Sequence, residues 1–284
     1  MLDYKKLVAE FKRIGLEEKD VVLVHSSFKS FGGIEGGPQT GVDALISTLG
    51  NEGTLIVPRF NFDFSTHNTP WDIRTTPSHM GIISELVRKD PRSFSVFHPI
   101  YSFSIIGKHA KELVKHRYKG SYSKDSIFHK LRTLDSKILQ IDRVYKGTTL
   151  FHHVEEMVGV DYRYFKNFTG IVIDENGRSY EDTFNIYVRD WDRGFVTDVL
   201  PMGKILEEKG VMKIDRIGDA TIWYVKAEDV YRVTADAIKK NPHILCKIIP
   251  TSKENEFLIK NYSETFKFNQ EQLQQTTKEI GTNE

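Results

Sequence analysis

The feature that most constrains the fold is an apolar run that ends in a glycine-rich loop and is followed by a helical pattern. The run Val21–Val24 is typical of a buried strand, and small hydroxyl residues, a lysine and two Gly-Gly pairs follow it. Apolar residues then return with helical spacing at Val42, Leu45, Ile46 and Leu49, which predicts a helix over Gly41–Leu49. The pattern predicts a strand, a loop whose backbone amides approach a ligand closely, and a helix N terminus that faces an anion.

The spacing of the glycines in this loop does not match two familiar nucleotide-binding motifs. No Gly-Lys-Ser/Thr closes the loop, and glycines 32, 33, 36 and 37 do not follow Gly-x-Gly-x-x-Gly. A pantetheine arm, which is a narrow amide-bearing chain, suits such a backbone better. A surface loop without a ligand has the same composition, so the loop alone does not decide the function.

The remaining pattern predicts an α/β fold. Short apolar strands alternate with amphipathic helices over the first 160 residues, which is typical of a layered mixed β-sheet with flanking helices. A hairpin signal at Glu175-Asn176-Gly177 predicts an antiparallel portion in the second half. Because no linker divides the chain, residues 1–250 are predicted to form a single domain, and the polar residues 251–284 a partly disordered extension.

The overall composition excludes several classes of partner. The chain has 40 Lys and Arg against 39 Asp and Glu, which gives no general attraction to nucleic acid or to an anionic membrane. No apolar run approaches the roughly 20 residues of a membrane span. The N terminus lacks a signal core, and the single Cys246 has no intrachain partner. We therefore expect a cytoplasmic protein without nucleic-acid or membrane partners, for which a homodimer is one candidate assembly.

A second block, from Thr148 to Met157, combines histidines with carboxylates. On a helix His152 lies one turn from Glu155 and from Glu156, and either carboxylate would orient the imidazole and raise its basicity. His153 points about 100° away around the helix, so it does not serve the same site equally well. Most such pairs are solvated surface contacts. A His/Glu metal hydrolase is another alternative, but a second ligand pair is missing, so we expect no metal.

The loop 61–77 is the third candidate site. Loops of this length in compact domains are often binding loops. Its Trp71-Asp72 pair places an aromatic ring beside a carboxylate, a combination that suits a cationic amino sugar. A plain surface loop remains an equal alternative.

Several ordered blocks of the sequence resemble the aminoglycoside 3-N-acetyltransferase family. They are His25-Ser26-Ser27 through Pro38-Gln39-Thr40, Gly53-Thr54-Leu55, Met80 to Glu85, His98-Pro99 with Ser102-Phe103, Thr149-x-x-His152-x-x-Glu155, and Ile217 to Ala220. The resemblance covers roughly residues 5–245. It implies an acetyltransferase that uses acetyl-coenzyme A and has the α/β fold of the antibiotic N-acetyltransferases.

The resemblance also implies roles for individual residues. The reactive histidine of the family corresponds to His152, with Glu155 as its catalytic neighbour. The contacts to acetyl-coenzyme A correspond to Ser27, Phe28, Lys29, Ser30, Phe31, Gly32, Ser102 and Phe103. The acceptor is expected to meet Asp72, Glu156 and Asp219, and the sequence leaves open which carboxylate partners His152.

The acceptor is the least determined part of this interpretation. Drug-modifying members commonly carry an Asp-Ser-Asn-Thr-type lead into the histidine block, where this chain has Tyr145-Lys146-Gly147. This departure favours an amino sugar of glycan biosynthesis, nucleotide-linked sugars included, acetylated by direct transfer with His152 as general base. An aminoglycoside drug is the alternative acceptor. A coenzyme-binding scaffold without turnover is the non-enzymatic alternative.

Overall fold

The computed structural model describes residues 1–249, except residues 143, 144, 146 and 147. The helices are α1 (Tyr4–Arg13), α2 (Gly37–Leu49), α3 (Asp63–His67), α4 (Ile82–Lys89), α5 (Ala110–Val114), α6 (Ile127–Thr133), α7 (Leu150–Val158), α8 (Leu200–Glu208) and α9 (Ala227–Lys240). The strands are β1 (Val21–Ser26), β2 (Thr54–Phe60), β3 (Trp71–Asp72), β4 (Phe94–Ser95), β5 (Tyr101–Gly107), β6 (Lys137–Ile141), β7 (Arg163–Ile173), β8 (Ser179–Arg189), β9 (Phe195–Thr197), β10 (Lys213–Ile217), β11 (Ala220–Lys226) and β12 (Cys246–Ile248).

A seven-stranded mixed sheet forms the centre of the fold, in the order β10-β11-β6-β1-β2-β5-β4. The central strands β6, β1 and β2 run parallel, and antiparallel strands complete the sheet on both sides. The carboxyl ends of the three parallel strands therefore lie at one edge of the sheet. Ligands of open α/β sheets bind at this edge, because the loops that follow the strands meet there.

Both faces of the central sheet are covered, which explains why its strands read as continuous apolar runs. Val21 and Leu23 of β1 belong to one buried cluster, while Val22 and Val24 belong to another. Since successive side chains of a strand point to opposite faces, these are the two sides of the sheet. Helices α1, α2 and α4 contribute to the cluster of Val22, whereas α6, α7 and α9 contribute to the cluster of Leu23.

A second sheet, in the order β3-β7-β8, carries the antiparallel portion of the molecule. Strands β7 and β8 form a long hairpin, and the turn between them is closed by hydrogen bonds between Asp174 and both Gly177 and Arg178. Gly177 adopts the left-handed φ of 79° that such a turn favours in glycine. The hairpin predicted at Glu175-Asn176-Gly177 is therefore confirmed, and so is the mixed α/β fold class.

Some elements differ from the sequence prediction. Helix α2 begins at Gly37 rather than at Gly41, because Pro38 occupies a first-turn position where its missing N–H costs nothing. The predicted loop 61–77 contains α3 and the short strand β3. The latter forms by pairing with β7, about a hundred residues later in the chain. The prediction for residues 251–284 lies outside the described residues. Within the described part, no helix is long and apolar enough to cross a membrane.

Candidate active site

Helix α7 places His152 and Glu155 on one face, in direct contact. Nδ1 of His152 lies 2.6 Å from Oε2 of Glu155. An ionised carboxylate only accepts hydrogen bonds, so Nδ1 carries the proton and Nε2 is left with a free lone pair. The His152 side chain is 19% exposed and that of Glu155 only 1%. The imidazole thus reaches the surface, with the carboxylate buried behind it.

Two residues at the start of β7 fix the buried carboxylate. The Tyr162 hydroxyl donates to Oε1 of Glu155 over 2.7 Å, and Nε of Arg163 lies 2.8 Å from Oε2. Arg163 is held in turn by a 3.0 Å hydrogen bond from its Nη1 to the carbonyl of Tyr187. Its Nη2 is 2.8 Å from Nδ1 of His152. Because that nitrogen already donates to Glu155, this approach acts on His152 as a neighbouring positive charge.

The protonation states follow from burial and from these neighbours. Burial raises the pKa of Glu155, but the Arg163 guanidinium and His152 outweigh it and hold this pKa at about 2. Burial and Arg163 lower the pKa of His152 to about 4, although Glu155 acts in the opposite direction. At neutral pH the site therefore contains an ionised Glu155 and a neutral His152, which is the form that accepts a proton.

The neighbouring His153 faces away from this site. Its Nδ1 lies 2.5 Å from the carbonyl oxygen of Tyr122, its Nε2 is 3.4 Å from Arg132, and the side chain is fully buried. Burial lowers the pKa of His153 to about 4. The prediction that the two histidines serve different environments is confirmed, and His153 has a structural position.

Glu156 lies on the same helix and is the second carboxylate of the block. It is half-buried, and its Oε2 atom has no hydrogen-bond partner among the residues that the structure describes. Burial raises the pKa of Glu156 to about 7. Its carboxyl group therefore takes up or releases a proton near neutral pH, in contrast to Glu155.

The glycine-rich loop follows β1 at the carboxyl edge of the sheet. Ser27, Phe28 and Ser30 are partly exposed and Lys29 and Gly32 are exposed, while Phe31 is buried. Residues 28–31 form a single 3-10 turn, which leads toward the N terminus of α2. No side chain caps that terminus, but the Gly37 amide already donates to the carbonyl of Ile34 and Pro38 has no N–H, so few amides of the first turn remain for an anion. The exposed positions of the loop are therefore the part of this region that is open to a narrow ligand chain.

The predicted acceptor residue Asp219 lies against this loop rather than beside His152. A Cβ built on Gly32 would come within 1.9 Å of Oδ2 of Asp219. The amide of Asp219 also lies 3.5 Å from the carbonyl of Phe31. The structure thus brings Asp219 together with the predicted coenzyme loop.

The predicted coenzyme residues Ser102 and Phe103 are fully buried within β5. The Ser102 hydroxyl donates to the carbonyl of Val96 over 2.6 Å, and Phe103 belongs to the core. Their neighbour Tyr101 is partly exposed instead, with its ring 5.0 Å from that of Tyr122. The Tyr122 ring is in turn 5.3 Å from His152, so Tyr101 and Tyr122 line the surroundings of the histidine.

Asp72 is not part of the His152 site. It pairs with Ile173 at the far end of β7, ten residues from Arg163 in the same strand. At about 3.3 Å per residue this corresponds to roughly 33 Å. The Asp72 carboxylate is held by the Arg74 guanidinium over 2.8 Å, which lowers its pKa. The open choice of carboxylate is therefore resolved geometrically: Glu155 contacts His152.

Residues that the sequence analysis did not single out complete the site. They are Tyr101, Tyr122, Tyr162, Arg163 and Arg189. Arg189 pairs with Arg163 across the two strands, and its charge lowers the pKa of His152. Of these residues, only Tyr162 and Arg163 could have been found from the sequence, because they lie where an extended segment begins just after the helix that carries His152. Within the described residues, no group of three or more His, Cys, Asp or Glu side chains is arranged to hold a metal ion.

A neutral imidazole backed by a buried carboxylate is an arrangement that is able to accept a proton. The comparison with known proteins identifies the class more closely. The chain belongs to the aminoglycoside 3-N-acetyltransferase family, whose family model matches residues 23–239. It is therefore an acyltransferase of the N-acetyltransferase type, and acetyl-coenzyme A is the cosubstrate of the family.

Individual relatives agree with this assignment. The chain is 27% identical over 238 residues to the SPbeta prophage-derived aminoglycoside N(3')-acetyltransferase-like protein YokD of Bacillus subtilis (strain 168), with 76% of this chain and 85% of the relative covered. The fold is similar to that of a mutant of aminoglycoside acetyltransferase AAC(3)-IVa in complex with a gentamicin, with TM-score 0.73, 22% identity, and coverage of 86% and 91%. It is also similar to that of AAC-IIIb bound to CoASH, with TM-score 0.73, 20% identity, and coverage of 88% and 98%.

Proposed function

We propose that this chain transfers the acetyl group of acetyl-coenzyme A directly to an amine of an amino sugar, with His152 as the general base. The contact of 2.6 Å between His152 and the buried Glu155 carries this proposal. A general base must be neutral, exposed to substrate and held in one tautomer. The environment of His152 supplies all three properties.

The reaction needs a base because an alkyl ammonium group is not a nucleophile. Nε2 of His152 accepts one proton of the ammonium group, which frees the nitrogen lone pair to attack the thioester carbonyl. As the C–S bond breaks, a second proton of the nitrogen passes to the sulfur, so coenzyme A leaves as the thiol and the proton on His152 is later released to solvent. Glu155 then stabilises the positively charged imidazolium through Nδ1. Tyr162 and Arg163 keep the Glu155 carboxylate in place, so little rearrangement accompanies the proton transfer.

We assign binding of acetyl-coenzyme A to the loop from Ser27 to Gly32. The supporting observations are its partly exposed side chains and its position at the carboxyl edge of the parallel strands. Backbone amides of this loop would stabilise the thioester oxygen as it gains negative charge. Ser102 and Phe103 contribute by packing beneath the site, since their side chains are fully buried.

Glu156 is the proposed contact for the incoming amine. Its half-buried carboxyl group has an oxygen without a partner among the described residues, one turn along α7 from His152. Binding of an ammonium group would favour the ionised form of this carboxyl group. Asp219, beside the coenzyme loop, is a candidate for contacts with more distant parts of the acceptor.

The comparisons favour aminoglycosides over glycan-biosynthetic sugars as the acceptor class. The matched family carries aminoglycosides in its description, and the related AAC(3)-IVa mutant has been seen with a gentamicin. The preference for a glycan-biosynthetic sugar rested on departures such as Tyr145-Lys146-Gly147 and has no support from these relatives. Aminoglycosides are therefore tested beside simple amino sugars.

The test is release of coenzyme A from acetyl-coenzyme A in the presence of aminoglycosides and simple amino sugars. His152→Ala and Glu155→Gln should each lose most of the turnover, by about a hundredfold or more. His67→Ala serves as the matched control, since this histidine is 60% exposed on α3. Near-normal turnover in His152→Ala would refute the general-base role. Absence of turnover with every amine would refute the proposed function.

A further inference from the structure

Two arginines face each other at the candidate active site. Arg163 and Arg189 are direct partners in the antiparallel pairing of β7 with β8. Their side chains therefore leave the same face of the sheet at neighbouring positions. Like charges directly opposite one another are unfavourable, so each guanidinium requires an anion nearby. Arg163 has such an anion in Glu155.

Arg189 has no comparable partner in the described part of the chain. None of the described carboxylates lies within 4.0 Å of its guanidinium nitrogens, and its buried Nε atom makes no hydrogen bond. Its guanidinium carbon lies 4.7 Å from the centre of the Trp191 ring. Burial and the charge of Arg163 lower the pKa of Arg189, while the charge of Glu155 raises it.

The charge of Arg189 acts on the reacting group. Together with burial and Arg163, it lowers the pKa of His152. It also lies within electrostatic range of the buried Tyr122, whose ring is next to His152. This cation, which none of the described carboxylates contacts, is therefore near the place where we expect the acceptor amine to react.

We propose that the acceptor carries an anionic group, a carboxylate or a phosphate, which Arg189 binds while the amine of the same molecule faces His152. This inference rests on the proposed function and specifies the acceptor as an acidic amino sugar. A guanidinium recognises both anions through paired N–H donors. The anions of the coenzyme do not suit this position, because the pantetheine arm separates its phosphates from the thioester.

The same charge works against a polycationic acceptor. An aminoglycoside would bring several ammonium groups toward Arg189, and the carboxylates Glu155 and Glu156 of α7 oppose that repulsion. Glu155 is already neutralised by Arg163. We therefore expect this chain to prefer acidic amino sugars over the polycationic acceptors that its relatives are named for.

The experiment compares kcat/KM for muramic acid and glucosamine 6-phosphate with that for glucosamine and tobramycin. The acidic sugars should exceed glucosamine by about tenfold or more, since a charge-assisted hydrogen bond commonly contributes this much. In Arg189→Gln the ratio of acidic to neutral sugar should fall toward one. Arg189→Lys should keep part of the preference, and its melting temperature shows whether the substituted strand still folds. Arg193→Gln, 51% exposed nearby, is the control that should keep the full ratio.

The outcomes separate this inference from the proposed function. Turnover of neutral and cationic amines with a ratio that Arg189→Gln does not change would overturn the inference alone. Tobramycin exceeding the acidic sugars in the unaltered protein would do the same. If no amine is acetylated, calorimetric titration of glucosamine 6-phosphate into the coenzyme A complex still tests the anion site. Binding that is abolished in Arg189→Gln supports the site. Binding that is unchanged in Arg189→Gln refutes it. Absence of binding to the unaltered protein also refutes it.

Discussion

The hydroxyl of Tyr162 donates a 2.7 Å hydrogen bond to Oε1 of Glu155, the carboxylate oxygen that His152 does not contact. The other oxygen, Oε2, meets both His152 and Arg163. Glu155 thus has neighbours on both oxygens although it is almost completely buried. An ionised carboxylate in the interior needs hydrogen bonds and a compensating charge. Tyr162 and Arg163 supply these to Glu155, so it can remain buried and ionised next to His152.

Replacing Tyr162 with phenylalanine tests this relationship. The substitution leaves one oxygen of a buried carboxylate without its donor, so we expect a loss of about 1–3 kcal/mol in unfolding free energy. A less firmly held Glu155 should lower kcat by more than it changes KM. Steady-state kinetics and denaturant unfolding measure both effects. Tyr164→Phe is the control, since this tyrosine is 44% exposed two residues further along β7. Equal results for the two variants would contradict the role of Tyr162.

The stability of the protein should fall as the solution is acidified through the range set by His152. Its folded-state pKa of about 4 lies below the ordinary value of 6.5, so the unfolded chain binds more protons between these values. The contribution of His152 to the unfolding free energy should therefore be fully present above pH 6.5 and be lost toward pH 4, whereas Glu156, with its pKa raised to about 7, acts in the opposite direction between pH 7 and pH 4.5. Urea unfolding at pH 7 and pH 5 should show a smaller decline in His152→Gln than in the unaltered protein. The pKa of His153 is also lowered to about 4, so His153 should account for part of the decline in unfolding free energy that remains in His152→Gln. An identical decline in both proteins would contradict the depressed pKa of His152.

Gly32 and Gly210 provide a matched pair for the coenzyme loop. Both have a left-handed φ, 77° and 67°, so alanine at either position is strained by about 1–2 kcal/mol. Only at Gly32 would the new Cβ also collide with Asp219, whereas it meets nothing within 4 Å at Gly210. We expect Gly32→Ala to raise KM for acetyl-coenzyme A, and Gly210→Ala to leave this KM unchanged. The additional change Asp219→Ala should recover part of the loss. A normal KM in Gly32→Ala would argue against this loop as the coenzyme site.

Arg59 should stabilise the segment 61–77 without taking part in catalysis. Its side chain is 1% exposed and donates to the carbonyls of Ile73 and Thr76 over 2.6 and 2.7 Å. Arg59→Met leaves these acceptors without a donor, and we expect a cost of about 3 kcal/mol together with faster proteolysis within the segment. Arg74→Met is the control, because this side chain is 48% exposed and its ion pair with Asp72 contributes little. Equal proteolysis rates in the two variants would contradict the anchoring role.

Features that depend on neighbouring residues could be predicted from the sequence, whereas features that depend on residues far apart in the chain could not. The strand, glycine loop and helix around residues 21–49 were predictable because they depend on local apolar spacing and on glycine. The start of α2 was missed by four residues, since the pattern gave weight to apolar positions and not to the first-turn proline. The segment 61–77 was interpreted as a loop because β3 exists only through its pairing with β7. Short elements of this kind have no periodicity of their own.

For the candidate site, the sequence by itself determined that Glu155 and Glu156 lie within one helical turn of His152, because residues three and four apart on a helix share a face. The tertiary structure decided that Glu155 is the carboxylate in contact with His152. Only the tertiary structure decided that Glu155 is buried and held by Tyr162 and Arg163, and that Asp72 lies at the far end of β7. It also decided that Arg189 stands opposite Arg163, since strand register is set by pairing between residues 26 positions apart. Helical spacing is a property of neighbouring residues. The charge around the reacting group depends on which strands, far apart in the sequence, pack beside it.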